Sequence, residues 1–289
     1  MTQATTRLRT RAQARSLTVG LVGAAPSLVV ATVMLVIVAL VVLVVPFLPG
    51  FNPYTQDLAS AQQTPFTSGE HLLGTDALGR DLLSRLSVAT RTSLVVAFGA
   101  VLISMVLGLA IGLVAGWRRG RLDAFLMGVA DVQLSIPVVL LLIVLVAALG
   151  SSTTLLVVML GLTNWVGYGR VSRSIAVSLR EREFVTAVTA AGGSGWWVIS
   201  RHLLPNVLPQ IAILAAFEVG TVITIESSLS FIGLGIQPPT PSLGGLIADG
   251  QNYLQTNPAL VVLPALMILM VIGGVQFVSQ GLSARRSRR

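Results

Sequence analysis

Between Leu28 and Leu48 the chain runs 21 residues without one charged side chain. No other feature narrows the fold as much. A hydrocarbon core about 30 Å thick is crossed by about 20 helical residues at about 1.5 Å each. The preceding stretch, Met1 to Gly20, carries Arg7, Arg9, Arg11 and Arg15 and no acid, like the start of a signal peptide. The apolar run after it is too long for a cleaved segment, whose apolar part takes about 7–15 residues. A first membrane span is therefore expected.

Five more apolar segments follow, at 92–116, about 122–149, about 154–168, 209–230 and about 260–278. Only 10% of the 289 residues are charged, against about 25% in soluble domains. In lipid every backbone polar group must be satisfied within its own segment, which favours helices. The expectation is an all-α membrane protein of six transmembrane helices. It comprises an N-terminal segment 1–27, a six-span body 28–282 with a polar loop over 49–91, and a basic tail 283–289.

Sixteen of the nineteen arginines lie in the N-terminal segment, the turn at 118–121, the region 170–206 and the tail. Only Arg80, Arg85 and Arg91 lie on the other side. The excess of positive charge predicts that both termini and the 170–206 region face the cytoplasm.

Several chemistries are excluded by residue usage. The chain has no cysteine, so disulfides, thiolate metal sites and iron–sulfur clusters are ruled out. It has no lysine either, so it cannot supply the lysine of a phosphate-binding P-loop. Any ATPase driving it would be another polypeptide. The two histidines, His71 and His202, fall on opposite sides of the expected bilayer, and no triad or zinc-ligand spacing occurs. No catalytic residue, bound metal, cofactor of its own or nucleic-acid partner is expected. The glycines Gly233, Gly235, Gly244 and Gly245 lack the strand–turn–helix setting of a nucleotide loop. They suit an outer gate or a docking surface.

Three stretches carry more specific information. The first is Glu183 to Pro205. Phe184, Ala187, Val188 and Ala191 form a short apolar stripe at helical spacing, and Gly192–Gly193 stop the helix. Ser194 can cap a second short helix that Pro205 ends. The result is a knob between two spans, and on pattern alone an interfacial helix resting on lipid headgroups fits equally. The second is His71 to Leu86. Here Thr75 can cap a helix, with Asp76–Arg80 and Asp81–Arg85 as i,i+4 pairs. The third holds two acids in the fifth span, Glu218 and Glu226, eight residues apart and nearly on one face. A carboxylate in hydrocarbon costs a few kcal/mol, so each should face a cavity, the bundle interior or a partner. Either they line or gate a path, or they are protonated or hydrogen-bonded structural groups. The two readings stand level for Glu226, and the structural one is favoured for Glu218. Smaller expectations are a kink at Pro137 inside the third span and an ion pair between Asp131 and an arginine of the 118–121 turn.

The motifs resemble those of ABC importer permeases of the dipeptide/oligopeptide/nickel group. Glu183, Phe184, Val185, Ala187, Gly192, Ser194, Arg201, His202, Leu204, Pro205 and Asn206 match the pattern of the cytoplasmic coupling loop. Thr186 and Val188 depart from it, where glutamate and alanine are usual. The element His71, Gly74, Thr75, Asp76, Gly79, Arg80, Asp81 resembles the group's outer motif. The stretch from Glu226 through Leu229-Ser230-Phe231 to Pro239 is also similar, and these elements occur in family order. The C-terminus departs, since Gln280-Gly281-Leu282 leads into a short arginine tail. The resemblance implies a type I importer fold moving dipeptides or short oligopeptides, with nickel or haem as the alternative cargo of the same group. It implies a homologous second permease, cytoplasmic ATPases (two chains or one fused chain) holding ATP and Mg2+, and an extracellular substrate-binding protein. Coupling would run through Glu183, Phe184, Ala187, Gly192, Ser194, Leu204 and Pro205. From the residues alone, a proton-coupled transporter using Glu218 and Glu226, or a non-transporting scaffold, stays open.

Overall fold

The protein, as a computed structural model, is described over residues 28–286, with side chains through residue 281. The expectations for residues 1–27 and for the side chains of the basic tail lie outside the described residues. Among the described residues there is no strand, only an isolated bridge between Thr75 and Asp81.

The helix that sets the architecture is α2, Leu82–Arg118, 37 residues and roughly 55 Å long. It starts ten residues before the expected second span, because the Asp81 carboxylate accepts the Ser84 N–H at 2.7 Å and caps it. The polar loop therefore ends at Asp81. The helix stops where Arg119 and Gly120 both take positive φ, 54° and 65°.

Among the described residues four helices are long and apolar enough to cross a membrane: α1 (Leu28–Phe47), α2, the combined segment Gly195–Phe231, and α11 (Ala259–Arg286), whose apolar part is Ala259–Gly281. The expected third span is two helices, α3 (Gly120–Leu134) and α4 (Val138–Leu149), bent 83° at the break and counted as a fifth crossing only if taken together. A simple proline kink was expected. Instead Pro137, with ψ 122° and no N–H to continue the ladder, sits between the two helices, and the chain turns. The expected fourth span is α5 (Thr153–Thr163), 11 residues or about 16 Å, too short to cross alone. It breaks at Asn164, whose side chain donates to the Leu160 carbonyl at 2.9 Å, before α6 (Trp165–Arg180). Length and composition thus support four crossings, or five, of the six expected.

After α7 (Glu183–Ala190), helix α8 (Gly195–Val198) runs through a π-helical turn at Ile199–Leu203 into α9 (Leu204–Phe231). Pro205 does not end the helix, as expected from the sequence. It sits in the first positions of α9, where the wider turn absorbs its missing N–H. Pro209 is correspondingly interior to α9, not in the first turn of a span. The chain closes through α10 (Leu243–Gly250), capped by Ser242, into α11.

α2 lies at the centre. Leu86, Val96, Ala97 and Ala100 on it pack with Leu156 and Leu160 of α5, Val222, Ile223 and Leu229 of α9, and Val271 of α11. Against α6 the contact is closer still. A Cβ on Gly108 would lie 2.4 Å from the Trp165 carbonyl oxygen, and one on Gly116 would lie 2.8 Å from Ala176 Cβ. Ser172 Oγ donates across the seam toward the Gly108 carbonyl at 3.2 Å. Between membrane helices the hydrophobic drive is weak, so close packing of small residues and interhelical hydrogen bonds carry association. The opposite stripe of α2, Val95, Phe98, Leu102 and Val106, is more than half exposed and wholly apolar, as a lipid-facing surface should be.

Candidate functional site

The knob is rooted in a core of its own. Val185 on α7 is buried, with Val188 beside it, and both pack with Val198, Ile199 and Leu203 and with Leu113 of α2. The inward face is therefore rotated by roughly 80°, about a quarter turn, from the expected stripe. Val188 faces inward, whereas Phe184, Ala187 and Ala191 are exposed. The β-branched Val188 is used inside the knob, against Gly193, and does not alter the outer face. Gly192 has φ +88° and donates its N–H to the Thr189 carbonyl, which turns the chain back over α7. Ser194 caps α8 as expected, accepting the Trp197 N–H at 3.3 Å. Leu204 is half-buried, and Glu183 and Pro205 are exposed.

What the knob presents outward is aromatic. Phe184 is 44% exposed, Trp197 47% and Trp196 74%. The His202 ring sits between Phe184, at 5.9 Å between centroids, and Trp197, edge-on at 5.0 Å. Beneath lies Trp117, the penultimate residue of α2. Its carbonyl accepts from Arg180 Nη1 at 2.7 Å, the Arg180 guanidinium lies over its ring, and its indole fills the space a Cβ on Gly195 would need. The sequence reading missed Trp117; its only signal was a tryptophan at the end of an apolar run beside a basic turn. Around the knob, Arg119 pairs with Glu181 at 2.7 Å, Asp131 with Arg170 and Asp123 with Arg173. The expected pairing of Asp131 with the 118–121 turn is not made, because α6 brings Arg170 to it.

The His71–Asp81 element forms a knot at the other end of α2, and it is not a helix. Asp76 Oδ1 accepts the Leu78 and Arg80 N–H groups at 2.9 and 3.0 Å, and Oδ2 takes Arg80 Nε at 2.7 Å. The Asp76–Arg80 pair is real, but it closes a turn. Gly79, at φ +73°, leaves no room for a side chain, since a Cβ would stand 1.7 Å from the Asp57 carbonyl oxygen. Gly74, at φ +79°, packs equally closely on Gln63. Thr75 is fully buried and caps no helix; its hydroxyl donates to the Ser60 carbonyl and accepts the Gln63 N–H. Asp81 is the cap, so it pairs with His71 Nδ1 at 3.1 Å and not with Arg85. Arg85, 4% exposed, turns to Asp76 and to Asp249 of α10. Nearby, the Ser60 hydroxyl and then the Ala59 N–H hold the Asp57 carboxyl below the usual carboxylate range.

The two acids of α9 separate. Eight residues at about 100° each leave them about 80° apart around the helix, and the environments differ accordingly. Glu226 is fully buried, and its carboxylate accepts from Ser93 Oγ at 2.9 Å, Ser230 Oγ at 2.8 Å and Ser227 Oγ at 3.4 Å. Ser230 Oγ in turn accepts the Ile236 N–H at 3.2 Å. Glu226 thus ties α2, α9 and the 231–242 loop together. Glu218 is only partly buried and has no hydrogen-bond partner among the described residues. The sequence left the two readings level for Glu226, and its three serine donors are what a structural acid needs.

No group of three or more His, Cys, Asp or Glu able to hold a metal ion occurs among the described residues.

Comparison with known proteins gives one consistent result. Residues 108–289 match the family described as binding-protein-dependent transport system inner membrane component. The oligopeptide transport system permease protein OppC of Haemophilus influenzae is 34% identical over 251 residues, 86% of this chain and 81% of that protein. The dipeptide transport system permease protein DppC of Lactococcus lactis is 35% identical over 81% of this chain and 68% of its own length. The nickel transport system permease protein NikC of Escherichia coli is 34% identical over 87% of this chain and 90% of its own.

Proposed function

The chain belongs to the binding-protein-dependent transport system inner membrane components, and on that premise we propose that it imports dipeptides or short oligopeptides as one membrane subunit of an ATP-driven transporter. It is a multi-pass permease of the peptide/nickel group. The knob at 183–205 is the coupling element that seats on a separate ATPase. The observation that carries this reading is the exposed Phe184–Trp196–Trp197 face, held on a root of buried Val185 and Val198 with half-buried Val188. Exposed aromatics on a rigid support are what a protein partner buries.

In this reading the knob end and both termini face the cytoplasm, in line with the arginine distribution. ATP and Mg2+ are held by ATPase subunits, two chains or one fused chain. A homologous second permease completes the path, and an extracellular substrate-binding protein delivers cargo to the end that carries the His71–Asp81 knot. Closure of the ATPases moves the knob, and Trp117 and the α2–α6 seam carry that motion into the bundle, which alternates between inward and outward openings. Two peptide permeases among the relatives support peptide over nickel as cargo. The closed ring of serine hydroxyls around Glu226 counts against a proton relay through that residue.

The test is to tag the protein at its C-terminus, extract it in mild detergent and identify what co-purifies. Recovery of a P-loop ATPase and a second permease is the expected result. A protein that runs alone, even after crosslinking in the membrane, refutes the reading.

A further inference from the structure

We propose that the open face of α9 is an acceptor-rich wall of the translocation path and that Glu218 on its flank receives the ammonium group of the cargo; this rests on the peptide-importer reading above. The outward faces of this bundle are of two kinds. α2 turns Val95, Phe98, Leu102 and Val106 outward, and α4 turns out Val139, Leu140 and Val144. α9 turns out a mixed face: besides Leu208, Ala212 and Phe231 it exposes Gln210, Phe217, Thr224 and Ser228, with Thr221 partly exposed among these last. These positions recur at three, four and seven residues, so they form one stripe along the helix. A carboxylate facing lipid is costly, whereas on a water-filled path it is solvated.

The stripe also has a chemical sense. The Thr224 hydroxyl donates to the Gly220 carbonyl at 2.9 Å, and the Ser228 hydroxyl donates to the Thr224 carbonyl at 2.7 Å. Their hydrogens are engaged within the helix, so outward they offer lone pairs only. Glu218 adds two more acceptor oxygens and a charge, with no hydrogen-bond donor on it among the described residues. Glu226 shows how this fold satisfies an acid that is structural, with three serine hydroxyls. Glu218 lacks such donors and awaits one from outside the chain. A wall of acceptors complements an ammonium group and peptide N–H groups, and it repels carboxylate or phosphate.

The experiment uses the whole transporter in proteoliposomes: this chain, the second permease, the ATPases and the binding protein. The probes are tri-alanine and N-acetyl-tri-alanine, each at a concentration that saturates the binding protein. For Glu218→Gln, import of tri-alanine is expected to fall roughly tenfold or more, the range for losing one charged hydrogen bond. Import of the acetylated probe should stay within about twofold, because it has no ammonium group to lose. Complex yield and binding-protein-stimulated ATP hydrolysis should hold. An equal loss with both probes, or no loss with either, overturns the proposal. So does dissociation of the second permease from the variant, which would make Glu218 an interface residue. A wild-type complex that imports neither probe instead refutes the peptide-importer reading on which this rests.

Discussion

Adding one methyl group at Gly112 should loosen the centre of the molecule. A Cβ there would lie 1.9 Å from Ser172 Oγ, 2.2 Å from the Gly169 carbonyl oxygen and 2.9 Å from the Arg173 amide nitrogen. The Ser172 hydroxyl could rotate away, at the expense of its bonds to the Gly108 and Tyr168 carbonyls. The Gly169 oxygen and Arg173 nitrogen are backbone and cannot yield unless α6 moves. Restoring ordinary carbon–oxygen contact requires the two helices to part by roughly 1 Å, which opens the seam at Gly108 and Gly116 as well. Overpacking of this kind costs about 1–3 kcal/mol. Gly112→Ala should therefore lower the midpoint of thermal unfolding in detergent by about 2–4 °C for each kcal/mol lost. Gly128→Ala is the matched control, since no atom lies within 4 Å of the Cβ it would add. Size-exclusion of heated samples reads both. A Gly112→Ala protein as heat-resistant as the control would refute the close-packed seam and the argument built on it.

Other substitutions separate the remaining roles. Glu226→Ala should cost about 1–3 kcal/mol by stranding the Ser93 and Ser230 hydroxyls, with Glu226→Gln clearly milder; thermal midpoints of the two variants, if equal, would contradict the hydroxyl ring. Gly79→Ala should destabilise the outer loop by at least about 1–2 kcal/mol, read as faster proteolysis between residues 49 and 81, because both its positive φ and the Asp57 carbonyl oppose a side chain. Trp196→Ala should leave thermal stability within about 0.5 kcal/mol while reducing ATPase recovery on the tagged chain several-fold. Unchanged recovery would remove the aromatic face from the coupling surface. Gly192→Pro, which cannot hold φ +88°, should separate ATP hydrolysis from peptide uptake with assembly retained, and unchanged uptake would count against coupling through the knob.

The sequence was most informative where local chemistry acts alone. Apolar runs marked the long helices, Ser194 capped the helix assigned to it, and Gly192 turned the chain where its lack of a side chain allows. Reading failed where a distant partner decides. Thr75 and Asp81 are both competent caps, and only the fold of residues 57–76 over Gly79 engages Thr75 elsewhere and leaves Asp81 to α2. Asp131 stood near three arginines in sequence, but α6 brings Arg170 to it instead. Pro137 and Pro205 have the same missing N–H. One accompanies a bend of 83° and the other a π-helical turn within a continuous helix, a difference that depends on packing. Gly108, Gly112 and Gly116 recur every four residues, yet nothing local marks α6 as the helix they pack against. Within the candidate site, the knob residues were legible, but the face they present was not, because Val185 and Val188 both suit a helix interior.

One consequence of α2 concerns stiffness. It is an uninterrupted beam, free of proline from end to end, pinned at one extremity by the Asp81 knot and abutting the knob through Trp117 at the other. Over roughly 55 Å, a tilt of about 5° about one end carries the other about 5 Å, close to the rise of one helical turn. A small tilt of α2 is therefore a large displacement at its far end, and one piece of secondary structure spans the distance between the knot and the knob.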